Sequence, residues 1–495
     1  MTISETLLSR LKNHNLVVEA GVIGYEWRGQ SASGATFPVI NPSTGDTLAM
    51  IPDFSRQQVS QAIDVAYLAQ KDWTSRTGKE RGVILRRWYD LVIANIDDLA
   101  AIVTSEMGKP LAEAKGEVLY GASYIEWNSE EAKRVYGDTI PGHSRDKRIV
   151  VIRQPVGVVG AITPWNFPSA LVARKVAPAL AVGCSIVFKP AGLTPLSCIA
   201  LAVLAKQAGL PPGLFSVVPM TRSADFGDEI CSNEKVRKLT FTGSTEVGRR
   251  LMAQAAPKVM KLSLELGGNA PFIVFDDADI DAAVEGAMQS KFRNAGQTCV
   301  CTNRIYVQAG VHDEFARKLS ARVAALKVGD GFADGAEVGP LIDRKAVAKV
   351  RDHIDDALER GAKLAGGDPR LSQNGNFFPP TVLTGVTASM KVAREETFGP
   401  LAPIFKFATV KDVIALANDT EFGLAAYFFT KDLSKAWAIA EALEYGMVGI
   451  NTGMISTEVA PFGGVKQSGF GREGSKYGID DYIELKYLCL GQIGL

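Results

Sequence analysis

Between Arg56 and Trp73 the apolar residues Val59, Ile63, Ala66 and Trp73 recur with the repeat of one helix face, and a second helical stretch begins at Glu80. The front third of the chain is therefore expected to be rich in helix. From Val156 the pattern changes: short apolar runs bounded by Gly or Pro, at 156–162, 185–188, 215–218 and 238–241, alternate with longer helical segments. Such alternation predicts a parallel sheet with crossover helices. A second round begins near Glu265, with a strand at 271–275 and a helix at 280–291, and runs to about Gly469. Two more runs read as sheet extensions, 148–153 and 482–490, the latter with Ile483, Leu485, Tyr487 and Cys489 on one face. Exposed strands of this kind either close their own sheet or pair with another chain.

At 495 residues the chain exceeds the size at which a single core usually divides, so two large domains are expected. Lys+Arg and Asp+Glu stand at 54 each, which leaves no electrostatic footprint for nucleic acid or an anionic membrane. The opening Met1 to Arg10 carries Glu5 and no continuous apolar stretch, unlike a signal or transit peptide, and no apolar run reaches the length of a membrane span. The six cysteines (Cys184, Cys198, Cys231, Cys299, Cys301 and Cys489) form no disulfide framework, which points to a reducing cytoplasm. His14, His143, His312 and His353 are scattered, so no metal site is expected.

Candidate chemistry lies in the segment from Asn294 to Cys301. Cys299 follows Gly296, Gln297 and Thr298, a small polar run expected to form an exposed turn where backbone donors could solvate a thiolate. Upstream, Glu265 with Gly267 and Gly268 offers a carboxylate on a backbone that can be closely approached. A thiolate attacks carbonyl carbon, and a carboxylate can later draw a proton from water to release an acyl group from sulfur. Cys299 is the candidate nucleophile and Glu265 the candidate base.

These two segments resemble the paired active-site signatures of the aldehyde dehydrogenase superfamily. The stretches 163–168, 241–244, 396–400 and 461–464 occur in the family's order and at similar spacing, so the resemblance covers nearly the whole chain. It implies an α/β fold with a parallel-sheet cofactor-binding domain (1–130 and 150–262) and an α/β catalytic domain (263–470). A small β oligomerisation extension (131–149 and 478–495) would build a homodimer or homotetramer. It also implies oxidation through a thiohemiacetal and a thioester on Cys299, with Asn166 and the Cys299 backbone N–H stabilising the oxyanion. Acyl-CoA-forming relatives typically lack a base at the position of Glu265, so its presence favours hydrolysis.

For the cofactor, no Gly-x-Gly-x-x-Gly fingerprint occurs; the substitute is a glycine turn, Gly243 and Ser244, that opens a helix whose free N–H groups suit a pyrophosphate. By resemblance Thr163, Pro164, Trp165, Ala191 and Leu266 line the cofactor site, Lys189 reaches the adenosine ribose, Glu396 holds the nicotinamide ribose and Phe398 packs near the ring. The family often has glutamate where this chain has Gly192. Glycine leaves room for a 2′-phosphate beside Lys189, so NADP is favoured and NAD remains open.

Within the superfamily the chain is most similar to the succinate-semialdehyde dehydrogenases, in 291–301, Arg174 with Lys175, and 474–479. That resemblance implies a clamp on the substrate's distal carboxylate by Arg174 and Arg293, with Ser456 as a further donor. Glutarate semialdehyde, one methylene longer, is the alternative substrate, and a cysteine hydrolase the alternative of another class. Cys301 is a candidate redox partner for Cys299 if the loop lets their Cα atoms approach within roughly 7 Å.

Overall fold

Ser55 and Thr77 start the two predicted helices, Arg56–Ser75 and Gly78–Ala94, each through a capping box in which the side chain and its partner three residues on, Gln58 or Glu80, satisfy each other's backbone N–H groups. The computed structural model describes residues 3–24, 26–369 and 375–493. Two more helices follow, Ile96–Met107 and Leu111–Glu131. Gly108, at φ +92°, turns the chain between them where a Cβ would strike Pro340 at 2.6 Å. Gly121 lets Leu111–Glu131 pack closely on the helix Ala170–Val182, since its Cβ would lie 3.0 Å from the Ala170 Cα.

The first large sheet has eight strands in the spatial order Gly469–Phe470, Lys261–Glu265, Val236–Thr242, Val158–Ile162, Ser185–Lys189, Phe215–Val217, Gly21–Ile23, Glu26–Arg28. Its five central strands are parallel and joined by helices, of which Ala170–Val182 and Leu196–Gln207 are almost wholly buried. The predicted runs are all present, with ends shifted by a residue or two. The outer strands were not visible in the sequence, because two or three residues are too few to show a period of two.

The second sheet has seven strands, ordered Lys363–Gly366, Thr381–Thr384, Leu401–Phe407, Thr302–Gln308, Ala270–Val274, Ala425–Phe429, Met447–Ile450, and only its first pair is antiparallel. A third sheet joins Ile483–Leu490, Arg148–Pro155 and Asp138–Ile140, the first two paired antiparallel from Ile483 opposite Pro155 to Leu490 opposite Arg148. Of the apolar residues along its last strand, Ile483 is buried while Leu485 and Tyr487 are exposed.

In the first sheet the chain runs outward from Val158–Ile162 to one side and returns to Val236–Thr242 on the other. That reversal leaves a crevice at the carboxyl ends of the strands, the usual ligand position in such sheets. The amino ends of the second sheet's strands Thr302–Gln308 and Leu401–Phe407 deliver the segments 298–300 and 396–398 to the same crevice. Both sheets thus build one cavity of about 400 Å³.

Candidate active site

Cys299 lines this cavity with Asn166, Arg174, Arg293, Glu396, Phe398 and Ser456. Pro164, Trp165, Gly243, Ser244 and Leu266 lie on its walls as well, and Thr163 is buried at the start of the Asn166 loop. The segment leading to Cys299 differs from the expected exposed turn. Asn294, Ala295, Gln297 and Thr298 are buried, and Asn294, Ala295 and Gly296 take φ values of +53°, +54° and +75° in succession. Left-handed backbone of that length costs free energy in non-glycine residues and must be held by its surroundings.

The loop's polar groups supply the hold. Gln297 Nε2 donates to Asn294 O at 3.1 Å, and Gln297 Oε1 accepts from Ile342 N–H at 2.9 Å. Asn294 Nδ2 donates to Asn166 O at 3.0 Å. Polar composition here serves internal hydrogen bonds in place of solvent contact, which is why it misled as a sign of exposure. Cys299 alone of this run stays partly open to the cavity.

Asn166 Nδ2 donates to Gln297 O at 3.0 Å. An amide nitrogen carries two hydrogens, so this bond orients the group and leaves the second for an oxyanion. The Cys299 thiol is pushed up to about 12, chiefly by burial, with Glu396 and Glu265 opposing ionisation and Arg174 and Arg293 favouring it. Burial thus works against the solvated thiolate expected from the sequence, while Arg174 and Arg293 favour it.

Glu265, at the end of Lys261–Glu265, is buried and both carboxylate oxygens lack protein hydrogen bonds. Burial first, then the negative charge of Glu473, pushes its carboxyl well above the usual range, against the pull of Arg174, Lys175 and Arg472. A carboxylate of raised basicity is suited to taking a proton from water. Glu473 escaped the sequence reading: Arg174 Nη2 lies 2.6 Å from it, and Lys175 Nζ also 2.6 Å. Arg174 is thus partly neutralised, although its Nε is buried without a hydrogen-bond partner, and its guanidinium stacks 4.0 Å from the Phe462 ring centre.

Arg293 sits 5.5 Å from the centre of the Phe167 ring. Cys301 turns away from the cavity into the core, its Sγ 3.4 Å from the ammonium of the buried Lys291. No histidine lines the cavity: His353 is bonded to Thr397 and Glu395, and among the described residues no cluster could hold a metal ion.

Ser244 caps the helix Thr245–Ala255 by accepting from Val247 N–H at 3.4 Å, leaving the first N–H groups of that helix directed at the crevice. Lys189 is 3% exposed and bonded to Pro190 O at 3.2 Å; burial pulls its ammonium down to about 8, against the attraction of Asp53. Among the described residues no carboxylate lies within ion-pair distance of it. Beside it, a Cβ on Gly192 would meet only the Phe37 ring, at 3.8 Å. A buried ammonium next to open space fits an anionic group of a cofactor. Glu396 accepts from Gly268 N–H at 3.2 Å, its carboxyl raised by burial to about 7, and Phe398 stands edge-on to Trp165 with ring centres 5.6 Å apart.

The aldehyde dehydrogenase family model matches residues 27–488. The chain is 59% identical over 482 residues to Succinate-semialdehyde dehydrogenase [NADP(+)] GabD of Escherichia coli K12, covering 97% of this chain and 100% of that one. It is 58% identical to Glutarate-semialdehyde dehydrogenase of Pseudomonas putida KT2440, covering 97% of this chain and 99% of that one. The crystal structure of succinate-semialdehyde dehydrogenase from Burkholderia pseudomallei superposes with a TM-score of 0.96 at 61% identity, over 97% of this chain and 99% of that one. The α/β architecture, the cavity at the meeting of two sheets and these matches lead to one assignment: the chain belongs to the aldehyde dehydrogenase family.

Proposed function

We propose that this enzyme oxidises succinic semialdehyde to succinate, with NADP as the favoured hydride acceptor. The observation that carries the substrate reading is that Arg174, Arg293 and Ser456 all line the cavity that holds Cys299. Two guanidinium groups there match the distal carboxylate of a short semialdehyde. The similarity to the Escherichia coli and Burkholderia pseudomallei enzymes supports the same reading, and glutarate semialdehyde is the competitor.

In this mechanism the Cys299 thiol releases its proton to solvent through the open cavity as its sulfur adds to the aldehyde carbon, while the oxygen that gains charge is held by the second Asn166 amide hydrogen and the Cys299 backbone N–H. Glu396, Trp165 and Phe398, which line the cavity, would hold the nicotinamide, and that ring would supply the hydride acceptor. The thioester left on Cys299 is then attacked by water whose proton passes to ionised Glu265, freeing the thiol and the acid. Pro164, Trp165, Ser244 and Leu266 line the cofactor side of the cavity. Lys189 and the open space at Gly192 would hold an adenosine 2′-phosphate, with Thr163 and Ala191 beside them.

The second sheet delivers the nucleophile segment 298–300, and the first sheet carries Glu265 and the cofactor half. The exposed apolar residues Leu485, Tyr487 and Leu490 support a homodimer or homotetramer built through the third sheet. All six cysteines are free, which suits a reducing cytoplasm.

The test is a panel of succinic, glutaric and uncharged aldehydes run with both cofactors and followed at 340 nm. Highest kcat/KM for succinic semialdehyde with NADP supports the proposal. Preference for an uncharged aldehyde refutes the substrate reading, and turnover without absorbance change would favour a hydrolase.

A further inference from the structure

We propose that Lys109, Glu113 and Glu117 act together as positioning residues that set the Asn166 amide against Cys299. Glu113 and Glu117 are four apart on the helix Leu111–Glu131 and so share one side, and Lys109 lies in the turn just before that helix. None contacts the reacting atoms. Each grips one of the two loops that must meet at the nucleophile.

Lys109 Nζ donates to Asn166 O at 2.8 Å and lies 3.9 Å from the centre of the Phe167 ring. Glu117 pairs with Lys109 at 2.5 Å, and its other oxygen accepts from Ser169 N–H at 2.8 Å and Ala170 N–H at 3.2 Å, fixing the far end of the Asn166 loop. Glu113 accepts from Asn294 N–H at 2.8 Å, the first of the three left-handed residues before Cys299. The loops then lock to each other: Asn166 O accepts from Lys109 and from Asn294 Nδ2, while Asn166 Nδ2 donates to Gln297 O.

Stability alone is a poor account of this arrangement. Lys109 and Glu117 are almost wholly buried, and buried ion pairs rarely outperform apolar packing of similar volume. What three charged groups at the start of one helix do provide is a fixed distance between two loops, one of them in a conformation it would not hold unaided. An oxyanion donor misplaced by about 1 Å can cost on the order of 100-fold in rate. A chain with apolar residues at these positions would keep the helix and lose the alignment.

The proposal rests on Asn166 as the oxyanion donor, and a double-mutant cycle separates the two ideas. The hydride-transfer rate constant per competent site is read from the pre-steady-state burst, whose amplitude counts folded sites, using the aldehyde turned over best. Asn166→Ala alone must slow hydride transfer; if it does not, the oxyanion reading fails. Lys109→Met is expected to slow it about 30-fold or more, with aldehyde KM changed less than about 3-fold, and to cause little further loss in the Asn166→Ala background. Equal loss in both backgrounds overturns the positioning role. Loss of a buried ammonium can unfold the domain, so Glu113 is probed in parallel. Glu113→Asp, too short to reach Asn294 N–H, should slow hydride transfer about 10-fold, and Glu113→Gln, whose amide oxygen still accepts, should restore it to within about 3-fold. Equal rates in those two variants overturn the proposal even if Lys109→Met yields no folded protein.

Discussion

Arg174 Nη2 lies 2.6 Å from Glu473 Oε2, so the guanidinium assigned to the substrate is already joined to a buried carboxylate. Lys175 Nζ approaches the same carboxylate at 2.6 Å. Burial works to raise the Glu473 carboxyl, yet Arg174 and Lys175 hold it below the usual range. Its negative charge in turn helps keep Glu265 protonated. Glu473→Gln removes that like charge and releases positive charge beside Glu265, so the base ionises more readily. The acid limb of the kcat–pH profile should move to lower pH; a limb that stays put or moves up contradicts this electrostatic link.

Cofactor choice turns on Gly192. A Cβ there meets nothing closer than Phe37 at 3.8 Å, so the backbone at Gly192 accepts a side chain and Gly192→Glu can introduce a carboxylate. Like charge beside a 2′-phosphate costs several kcal/mol, so kcat/KM for NADP should fall about 100-fold and that for NAD should hold or rise. Unaltered cofactor preference would remove Gly192 from the phosphate site.

Glu106 makes stability depend on pH. It is buried at the start of the helix Leu196–Gln207, accepting from Leu196 N–H at 2.7 Å and Ser197 N–H at 2.8 Å. Burial raises its carboxyl to about 8, Glu117 adding to the rise and the bonds from Ser197 and Leu196 opposing it. The folded chain therefore binds a proton that the unfolded chain releases near its ordinary value of 4.5, and stability falls as pH rises from there to about 8. Glu106→Gln cannot titrate. The Tm advantage of wild type over this variant should be larger near the acidic end of that window than near pH 8, and a constant difference would count against the assignment.

The sequence made the two rounds of strand and helix legible because central parallel strands are continuous apolar runs bounded by glycine and proline. Cys299, Glu265 and Asn166 could be nominated through their motifs, and the structure places Cys299 and Asn166 on one cavity. Glu473, Lys109, Glu113 and Glu117 were not, because charges in turns and at helical spacing usually mark a solvated surface, and nothing local to them reports that they face the interior. The loop before Cys299 misled for a related reason: Asn294 and Gln297 have the composition of a surface turn, but their partners are Asn166, Pro340 and Ile342, far away in the chain.

Cys301 bears on oxidation. Its thiol faces Lys291 in the core, with Sγ also donating to Lys291 O at 3.5 Å, so bridging to Cys299 requires the loop to rearrange. If the two cysteines form a reversible disulfide that protects Cys299, peroxide-treated Cys301→Ala should lose activity that dithiothreitol does not recover. Full recovery would eliminate the bridge.

The central claim is that Cys299 works on an aldehyde whose distal carboxylate is held by Arg174 and Arg293. Its most direct measurement is kcat/KM of wild type, Arg174→Ala and Arg293→Ala for succinic semialdehyde and for butanal. Loss of a charge-paired contact should lower the value for succinic semialdehyde about 100-fold more than that for butanal in each variant, the butanal value falling as well because both guanidinium groups favour ionisation of Cys299. Equal losses for the two aldehydes would contradict the carboxylate clamp.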